Sequence, residues 1–242
     1  MPIQCAAPQI KNKQEAELTG STYLNGRYEV AATYSPVRHL LVRAAYSSLP
    51  TGGGDTANYY RGRQYELAAG AYWPLGANFL VGGLGGFGQV RSQAKYKNDG
   101  GIIFFGSPVR HVFDAHYNKL FGEVYGSFQA SETVSFGVAY RVTQVHFTSL
   151  TDVGVPVGLR NMTRSEPMFF FRTRLGHGPA DSRPFQLQMT WGTSDTFGYR
   201  PGDNSRSSSL NQLQKPRNYL TIGATLFPHC LIRQLRSNRI DD

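Results

Sequence analysis

Apolar and polar residues alternate along almost the whole chain, and turn-forming residues interrupt the alternation repeatedly. A period of two is the pattern of a β-strand with one apolar and one polar face. No stretch shows the 3.6-residue period of an amphipathic helix. The sequence therefore predicts an all-β protein with ten strands. The alternating segments are residues 16–24, 28–34, 40–46, 65–73, 79–87, 120–128, 134–142, 169–175, 185–191 and 220–226.

The connections between these segments are alternately short and long. After the first hairpin, short connections are predicted at residues 36–38, 74–77, 130–132 and 178–183, and long ones at 49–62, 97–114, 149–165 and 197–215. In an antiparallel up-and-down barrel, successive connections lie at opposite rims. Short turns at one rim and long loops at the other are typical of an outer-membrane β-barrel. The dipeptide Asn25-Gly26 predicts a type I′ hairpin turn between the first two strands.

The charged residues of these segments fall on the face opposite the apolar residues, with nearly equal numbers of acidic and basic side chains. Charges inside a hydrated lumen can pair, while the apolar face suits lipid. A ten-stranded barrel is narrow, so we expect side chains to fill most of its interior. The predicted charged lumen network consists of Glu17, Glu29, Arg43, Glu66, Glu123, Arg141, Arg172 and Arg174.

Composition narrows the class of protein further. The chain is 40% hydrophobic, which excludes disorder, and its mean hydropathy of −0.36, with no apolar run near ~18 residues, excludes transmembrane helices. Its net charge of +9 favours a mildly basic chain without a basic patch, and attraction to polyanions stays open as the alternative. We expect contact with outer-membrane lipid and lipopolysaccharide, and no nucleic acid, because no basic run is interleaved with aromatic residues. A soluble lipocalin-like or sandwich fold stays open as an alternative.

Two features have the residue types of a functional site. Gly83-x-Gly85-x-x-Gly88 spells a dinucleotide fingerprint but lies inside a strand, which favours close packing over cofactor binding. Asp114 and His116, two residues apart on a strand, share a face, so the carboxylate could orient the imidazole as a base.

Omptin proteases carry a similar Asp/His pair facing a pair of aspartates, whereas Asp55 and Asp152 are lone loop residues here. An omptin-like hydrolase is therefore an alternative rather than the main hypothesis. A slip in the alternation near Val145 predicts a bulge beside His146. The histidines have no metal-ligand spacing, and we predict no catalytic residue, cofactor or metal.

The chain ends add few constraints. Cys5 and Cys230 lack metal-ligand and CxxC spacing, and whether they form a disulfide stays open. Residues 1–4 are not an apolar leader, so we expect the export signal to lie upstream. We divide the chain into a lead-in (1–13), a barrel (14–227) and a C-terminal periplasmic tail (228–242), which either docks to a partner or is disordered.

Three segments resemble a known group of proteins. They are Met1-Pro2 with Ala7-Pro8 and Lys13-Gln14-Glu15-Ala16-Glu17-Leu18; Tyr65-Glu66-Leu67 with Tyr72-Trp73-Pro74-Leu75-Gly76; and Tyr117 with Leu120-Phe121-Gly122-Glu123-Val124. On these segments the chain resembles small outer-membrane β-barrel proteins of Bacteroidota, many of them lipoproteins and most without an assigned function. The resemblance implies an outer-membrane barrel, lipidated upstream of the lead-in, with no catalytic residues to transfer. Phe227 is expected to serve as the terminal aromatic for barrel insertion.

The sequence thus predicts a non-enzymatic barrel of the bacterial outer membrane, acting as a structural or accessory subunit of a cell-envelope assembly. Other envelope proteins are expected to bind through the long loops or the tail. A narrow, porin-like channel or a small-solute-binding barrel that uses the lumen Arg and Glu residues is the first alternative.

Overall fold

The strands form one closed antiparallel barrel. The computed structural model describes residues 7–50, 59–98, 109–176, 183–199, 210 and 213–232. Its strands are β1 (Ala16–Tyr23), β2 (Tyr28–Tyr34), β3 (Leu40–Leu49), β4 (Tyr59–Leu75), β5 (Phe79–Asn98), β6 (Val109–Gln129), β7 (Val134–Asp152), β8 (Val155–Pro156), β9 (Asn161–Leu175), β10 (Phe185–Thr196) and β11 (Arg217–Leu226). The short β8 only extends the end of β7, and β7 pairs with β9.

The ring closes where the first strand meets the last. β1 pairs with β11 in a register that runs from Leu18 opposite Leu226 to Tyr23 opposite Thr221. Every other neighbour in the ring is also antiparallel, and β6 pairs with β7. The predicted ten-stranded antiparallel barrel is confirmed.

The barrel wall has an apolar outer face and a polar inner face, because side chains alternate across a strand. Glu66, for example, is buried inside while its neighbour Leu67 is exposed outside. Exposed apolar side chains on the outer face include Leu18, Val30, Val42, Leu67, Phe87, Leu120, Val138, Phe169, Leu187 and Ile222. The sequence alternation therefore identified the two faces correctly.

The strands differ greatly in length. β1, β2 and β3 have 8, 7 and 10 residues, whereas β5, β6 and β7 have 20, 21 and 19. Since a strand of ~9–11 residues crosses the hydrocarbon of a bilayer, β5–β7 form a tall wall that rises past their neighbours at the long-loop end.

The predicted loops 49–62, 97–114 and 149–165 were too long for the same reason. The strands continue to Asn98 and Asp152, and they begin at Tyr59, Val109 and Asn161. These extensions carry many charged and small polar residues, so apolar alternation does not reveal them.

The first hairpin is correct, but its predicted turn type is wrong. Tyr23 N donates to Arg27 O at 2.8 Å, and Gly26 N donates to Tyr23 O at 3.0 Å. Gly26 has φ +80°, whereas Asn25 does not have a positive φ. A type I′ turn needs positive φ at both central residues, so this is a three-residue loop that ends in a left-handed glycine.

One bulge interrupts the long β6–β7 ladder. The register shifts between His116 and Tyr117, opposite Thr148, whose Oγ1 donates to His116 O at 3.0 Å. The predicted bulge thus exists, but it lies beyond Val145, which is paired in register.

Glycines on the inner face of β5 make room for large side chains of β6. A Cβ on Gly82 would lie 2.3 Å from Tyr125 Oη, and one on Gly86 would lie 2.7 Å from Phe121 Cζ. Gly85, on the outer face, would meet only Phe121 O at 3.8 Å. The glycine run therefore serves packing, as its position inside a strand predicts.

Residues 228–232 form a short helical turn after β11. Its Cys230 is buried, and the ring of His229 lies 3.5 Å from Ala16 N at the start of β1. Residues 233–242 of the predicted tail lie outside the described residues. No helix in the described ranges is long and apolar enough to cross a membrane.

Candidate functional site

The predicted charged lumen network lies entirely inside the barrel. Its members are at most 9% exposed and come from β1–β4, β6, β7 and β9. The buried members are Glu17, Glu29, Arg43, Glu66, Glu123, Arg141, Arg172 and Arg174.

Glu66 on β4 is the centre of the network. Its carboxylate pairs with Arg43 Nη1 at 3.8 Å and with Arg141 Nη1 at 3.3 Å. Lys119 Nζ, from β6, forms a third ion pair with the same carboxylate. Arg141 Nη2 then lies 2.6 Å from Glu123 Oε2. These side chains cross the lumen from β3 and β4 to β6 and β7.

The series continues to β2 through Glu29. Its carboxylate lies 3.4 Å from Arg43 Nη2 and 3.8 Å from Arg27 Nη2. Tyr23 donates its hydroxyl to Glu29 at 3.0 Å, and Arg27 Nε donates to Ser47 Oγ at 2.5 Å. Removing charges from water is costly unless each is paired and hydrogen-bonded. Every charged side chain of this set has an ion-pair partner and at least one hydrogen bond. We call the set the charged layer; its members are Arg27, Glu29, Arg43, Glu66, Lys119, Glu123 and Arg141.

Aromatic rings fill the space around the guanidinium groups. The carbon Cζ lies over a ring in the pairs Arg27–Tyr23, Arg141–Phe121, Arg172–Phe170 and Arg174–Phe227, at 4.4, 4.4, 4.3 and 4.4 Å from the centroid. Phe227, the expected terminal aromatic, is 1% exposed and lies inside the barrel. It follows Leu226 on β11, which has the opposite, outward orientation.

The N-terminal lead-in enters the lumen at the short-turn end. Arg172 Nη1 donates to Ala7 O at 2.7 Å, and Glu17 Oε1 accepts from Gln9 N at 2.5 Å. Gln9 Nε2 also donates to Ser135 Oγ at 2.6 Å. Side chains of β1, β7 and β9 therefore bind a segment that sequence reasoning treated only as a lead-in.

Apolar residues complete this closure. Ala7 and Ile10 belong to a buried set, here called the lower apolar cluster, and they fill its centre. The other members are Leu41, Tyr72, Leu80, Leu84, Tyr125, Ala139, Met168 and Phe170. The chain thus closes the short-turn end of its own barrel.

Little space remains at the level of Glu17 and Arg172. The void there has a volume of about 10 Å³ and is bounded also by Glu29, Arg43 and Gln188. One water molecule needs about 10–15 Å³ of this kind of volume. No more than a single water fits in this void.

Sequence reasoning missed two further buried charges, Arg164 and Glu166. Arg164 Nε donates to Ser194 Oγ at 2.7 Å, and Glu166 accepts from Thr143 Oγ1 at 3.1 Å and from Ser194 Oγ at 2.9 Å. Pro167 concealed them, since a proline normally indicates that a strand has ended. The signal was present in the alternation of Arg164, Glu166 and Met168.

Asp114 and His116 share a face, as their spacing predicts. His116 Nε2 lies 3.5 Å from Asp114 Oδ1, and both side chains are nearly half exposed. Their strand neighbours Phe113 and Ala115 are buried, so the pair lies on the outer face of the tall wall, near its long-loop end. Asp55 lies outside the described residues.

Asp152 has a different partner. It binds the buried His111, whose Nδ1 lies 2.6 Å from Asp152 Oδ2. His146 bonds to Asn161 Oδ1 at 2.8 Å on the outer face. Within the described ranges, no group of three or more His, Cys, Asp or Glu residues could hold a metal ion. Cys5, the first half of the possible disulfide, lies outside those ranges.

No protein-family model matches the chain, and no curated protein matches it. The barrel is similar to the outer membrane protease OmpT from Escherichia coli, with a TM-score of 0.46 and 10% identity over 89% of this chain and 94% of that chain. It is similar to the translocator domain of the autotransporter NalP from Neisseria meningitidis, with a TM-score of 0.43 and 10% identity over 88% of this chain and 86% of that chain. It is also similar to the N-terminal β-barrel domain of Pseudomonas aeruginosa OprF, with a TM-score of 0.34 and 9% identity over 89% of this chain and 98% of that chain.

Proposed function

We propose that this chain is a non-enzymatic β-barrel of the bacterial outer membrane that does not conduct, and that it serves as a structural or accessory subunit of a cell-envelope assembly. The observation that carries the proposal is the combination of an apolar exterior with a lumen filled by paired charges and by the lead-in.

The exterior supports a lipid environment. Large apolar side chains such as Leu120 and Val138 are 64% and 60% exposed, on an unbroken ring of strands. A soluble protein rarely exposes a continuous apolar surface of this extent, because each exposed group is unfavourable in water. Trp73 and Trp191 on the same face suit the membrane interface.

The filled lumen supports a role other than transport. An ion entering at the long-loop end would meet the charged layer centred on Glu66 and then the lower apolar cluster. Both are closed by side chains, in keeping with the narrow bore of a ten-stranded barrel. This argues against the porin-like alternative.

Lipopolysaccharide is the partner that the outer face suits best. Arg63 on β4 pairs directly with Arg91 on β5, and both side chains are exposed at the long-loop end. Like charges directly opposite on a sheet repel each other, and a bound phosphate group would remove that repulsion. Within the described ranges, neither arginine forms an ion pair with an acidic residue.

The long loops and the C-terminal tail are the proposed contacts with other envelope proteins. Lipidation upstream of the lead-in stays a prediction from the resemblance to Bacteroidota barrels. Metabolic labelling of the precursor with a palmitate analogue tests it.

The membrane proposal is tested by refolding the chain with and without detergent micelles and comparing boiled and unboiled samples on SDS gels. A faster-migrating unboiled band seen only with detergent supports a membrane barrel. A monodisperse β-rich protein in plain buffer, with no mobility shift, overturns it.

The non-conducting role is tested in planar bilayers with the wild type and the double variant Arg172→Gln and Arg174→Gln. We expect no single-channel conductance from either protein. The variant should lose stability, roughly 1–3 kcal/mol, because its contacts with the lead-in are charge-assisted. Steps of conductance that change in the variant would favour the channel alternative.

The lipopolysaccharide contact is tested with Arg63→Gln, using Arg38→Gln at the opposite rim as the control. Without lipopolysaccharide, Arg63→Gln should change the free energy of unfolding by less than about 0.5 kcal/mol, as is usual for exposed charges. With lipopolysaccharide, the wild type and Arg38→Gln should gain stability and Arg63→Gln should gain less. Equal gains in all three would contradict the contact.

The hydrolase alternative has weaker support, because Asp114 and His116 lie outside the lumen. If purified protein does hydrolyse a substrate, Asp114→Asn and His116→Ala decide whether this pair is responsible.

A further inference from the structure

The long-loop half of the lumen contains a cavity of about 120 Å³ that the proposed function does not use. It lies above the charged layer, since the register places Lys119, Tyr117, Ala115 and Phe113 successively closer to the long-loop rim on β6. β5, β6, β7 and β9 supply most of its wall.

Most of the cavity lining is apolar. We call the apolar residues the upper apolar cluster. Its members that line the cavity are Ala94, Phe113, Ala115, Tyr117, Val145, Phe147, Met162 and Leu213. A concave apolar wall with a few polar groups is the usual form of a small-molecule site, because an apolar ligand gains by leaving water there.

The charged residues of the lining are mostly basic. Lys119, Arg164 and Arg217 line the cavity, together with the carboxylate of Glu166. Lys119 is paired with Glu66, and Arg164 is held by Ser194 and by Leu213 O.

Arg217, at the start of β11, is exposed and forms no ion pair with any residue in the described part of the chain. It is therefore the cation best able to bind an anionic ligand group. A carboxylate is the complementary group, since a guanidinium can donate two parallel hydrogen bonds to it.

The size of the cavity limits the ligand. A smaller cavity of about 40 Å³ adjoins it and shares Tyr60, Ser92 and Tyr117 as lining residues. A dry apolar cavity of ~150 Å³ takes one benzene molecule. The space therefore suits one ring with a short substituent and excludes a long acyl chain.

We propose that this cavity is a binding site for a small aromatic carboxylate, with the ring against the upper apolar cluster and the carboxylate on Arg217. Among the described residues, the charged layer closes the floor of the site, which therefore opens towards the long-loop rim. It serves to bind the ligand rather than to pass it through. The proposal holds whether or not the barrel belongs to a larger assembly.

The test is calorimetric titration of the full chain, folded in micelles, with 4-ethylbenzoate and with its neutral analogue 4-ethylbenzamide. We expect saturable binding of the benzoate and weaker binding of the benzamide. Arg217→Gln should weaken benzoate binding about tenfold, which corresponds to about 1.4 kcal/mol, and should leave benzamide binding nearly unchanged. Arg38→Gln, the matched loss of charge at the other rim, should bind both like the wild type.

Filling the cavity should abolish binding of both compounds. Ala115→Phe places a ring in it from β6, and Ser92→Phe does so from the paired position on β5, in case one of them does not fold. The unboiled gel band reports folding of each variant. The site is refuted if the wild type shows no saturable binding, or if a folded filling variant still binds. Equal binding of benzoate and benzamide refutes the carboxylate preference and the role of Arg217.

Discussion

The lumen has two apolar clusters, one on each side of the charged layer, and they differ in what fills them. The lower apolar cluster contains Ala7 and Ile10 from the chain's own lead-in. The upper apolar cluster surrounds a cavity of about 120 Å³. One end of the barrel is thus completed by the sequence itself, while the other is shaped to receive something else. The lower apolar cluster therefore stabilises the barrel, and the upper apolar cluster is suited to binding a ligand.

The largest expected loss of stability comes from a substitution in the charged layer, between the two apolar clusters. Glu66→Gln leaves Arg43, Lys119 and Arg141 without their shared carboxylate. We expect a loss of about 3–5 kcal/mol in the free energy of unfolding, because breaking a buried pair leaves an uncompensated charge. Urea unfolding from lipid vesicles, followed by the fluorescence of the outer-face Trp73 and Trp191, measures it. A loss below about 1 kcal/mol would mean that water reaches this layer.

The next effect compares the two clusters directly. Ile10→Ala removes a side chain that is 1% exposed in the lower apolar cluster and should cost roughly 2–5 kcal/mol. Met162→Ala, beside the upper cavity, should cost less, because its side chain is only partly buried. The same urea titration compares them. Equal losses would show that the two ends are equally well packed, and the division into a closed and a receptive end would fail.

The smallest of the three losses of stability concerns β5, one of the strands that contribute to both clusters. A Cβ on Gly86 would lie 2.3 Å from Leu67 O, whereas one on Gly85 would meet nothing closer than 3.8 Å. Gly86→Ala should therefore destabilise the barrel by about 1–3 kcal/mol through overpacking. Gly85→Ala, its neighbour on the lipid face, is the matched control and should be nearly neutral. Similar stabilities would mean that the β4–β5 pair can move apart without cost.

Much of the barrel could be predicted because its strands alternate strictly. Arg141 and Glu123 were assigned to the lumen only because they alternate with apolar residues along their strands. In a closed sheet, one set of alternate side chains faces the lumen when the other set faces lipid. The individual ion pairs could not be predicted. The partners of Glu66 come from three strands, and no local sequence pattern determines the register of those strands relative to β4.

The lead-in and the cavity were missed for a related reason. Ala7 is held through its backbone carbonyl and Gln9 in part through its backbone amide, and a backbone contact leaves no periodic signature in the sequence. The upper cavity depends on strands that extend past the bilayer, where the apolar alternation that revealed the other strands ends. The sequence predicted the wall, and the structure was needed for what lies inside it.

The seam between β1 and β11 has a consequence for biogenesis. Leu18 pairs with Leu226, so residues from opposite ends of the chain must meet before the ring exists. A partly exported chain has two open sheet edges, and such edges attract other chains. Closure of this seam is a late, non-local step, of the kind that slows folding. The lead-in and Phe227 both lie beside the seam, so the lumen is complete only when the last strand is in place.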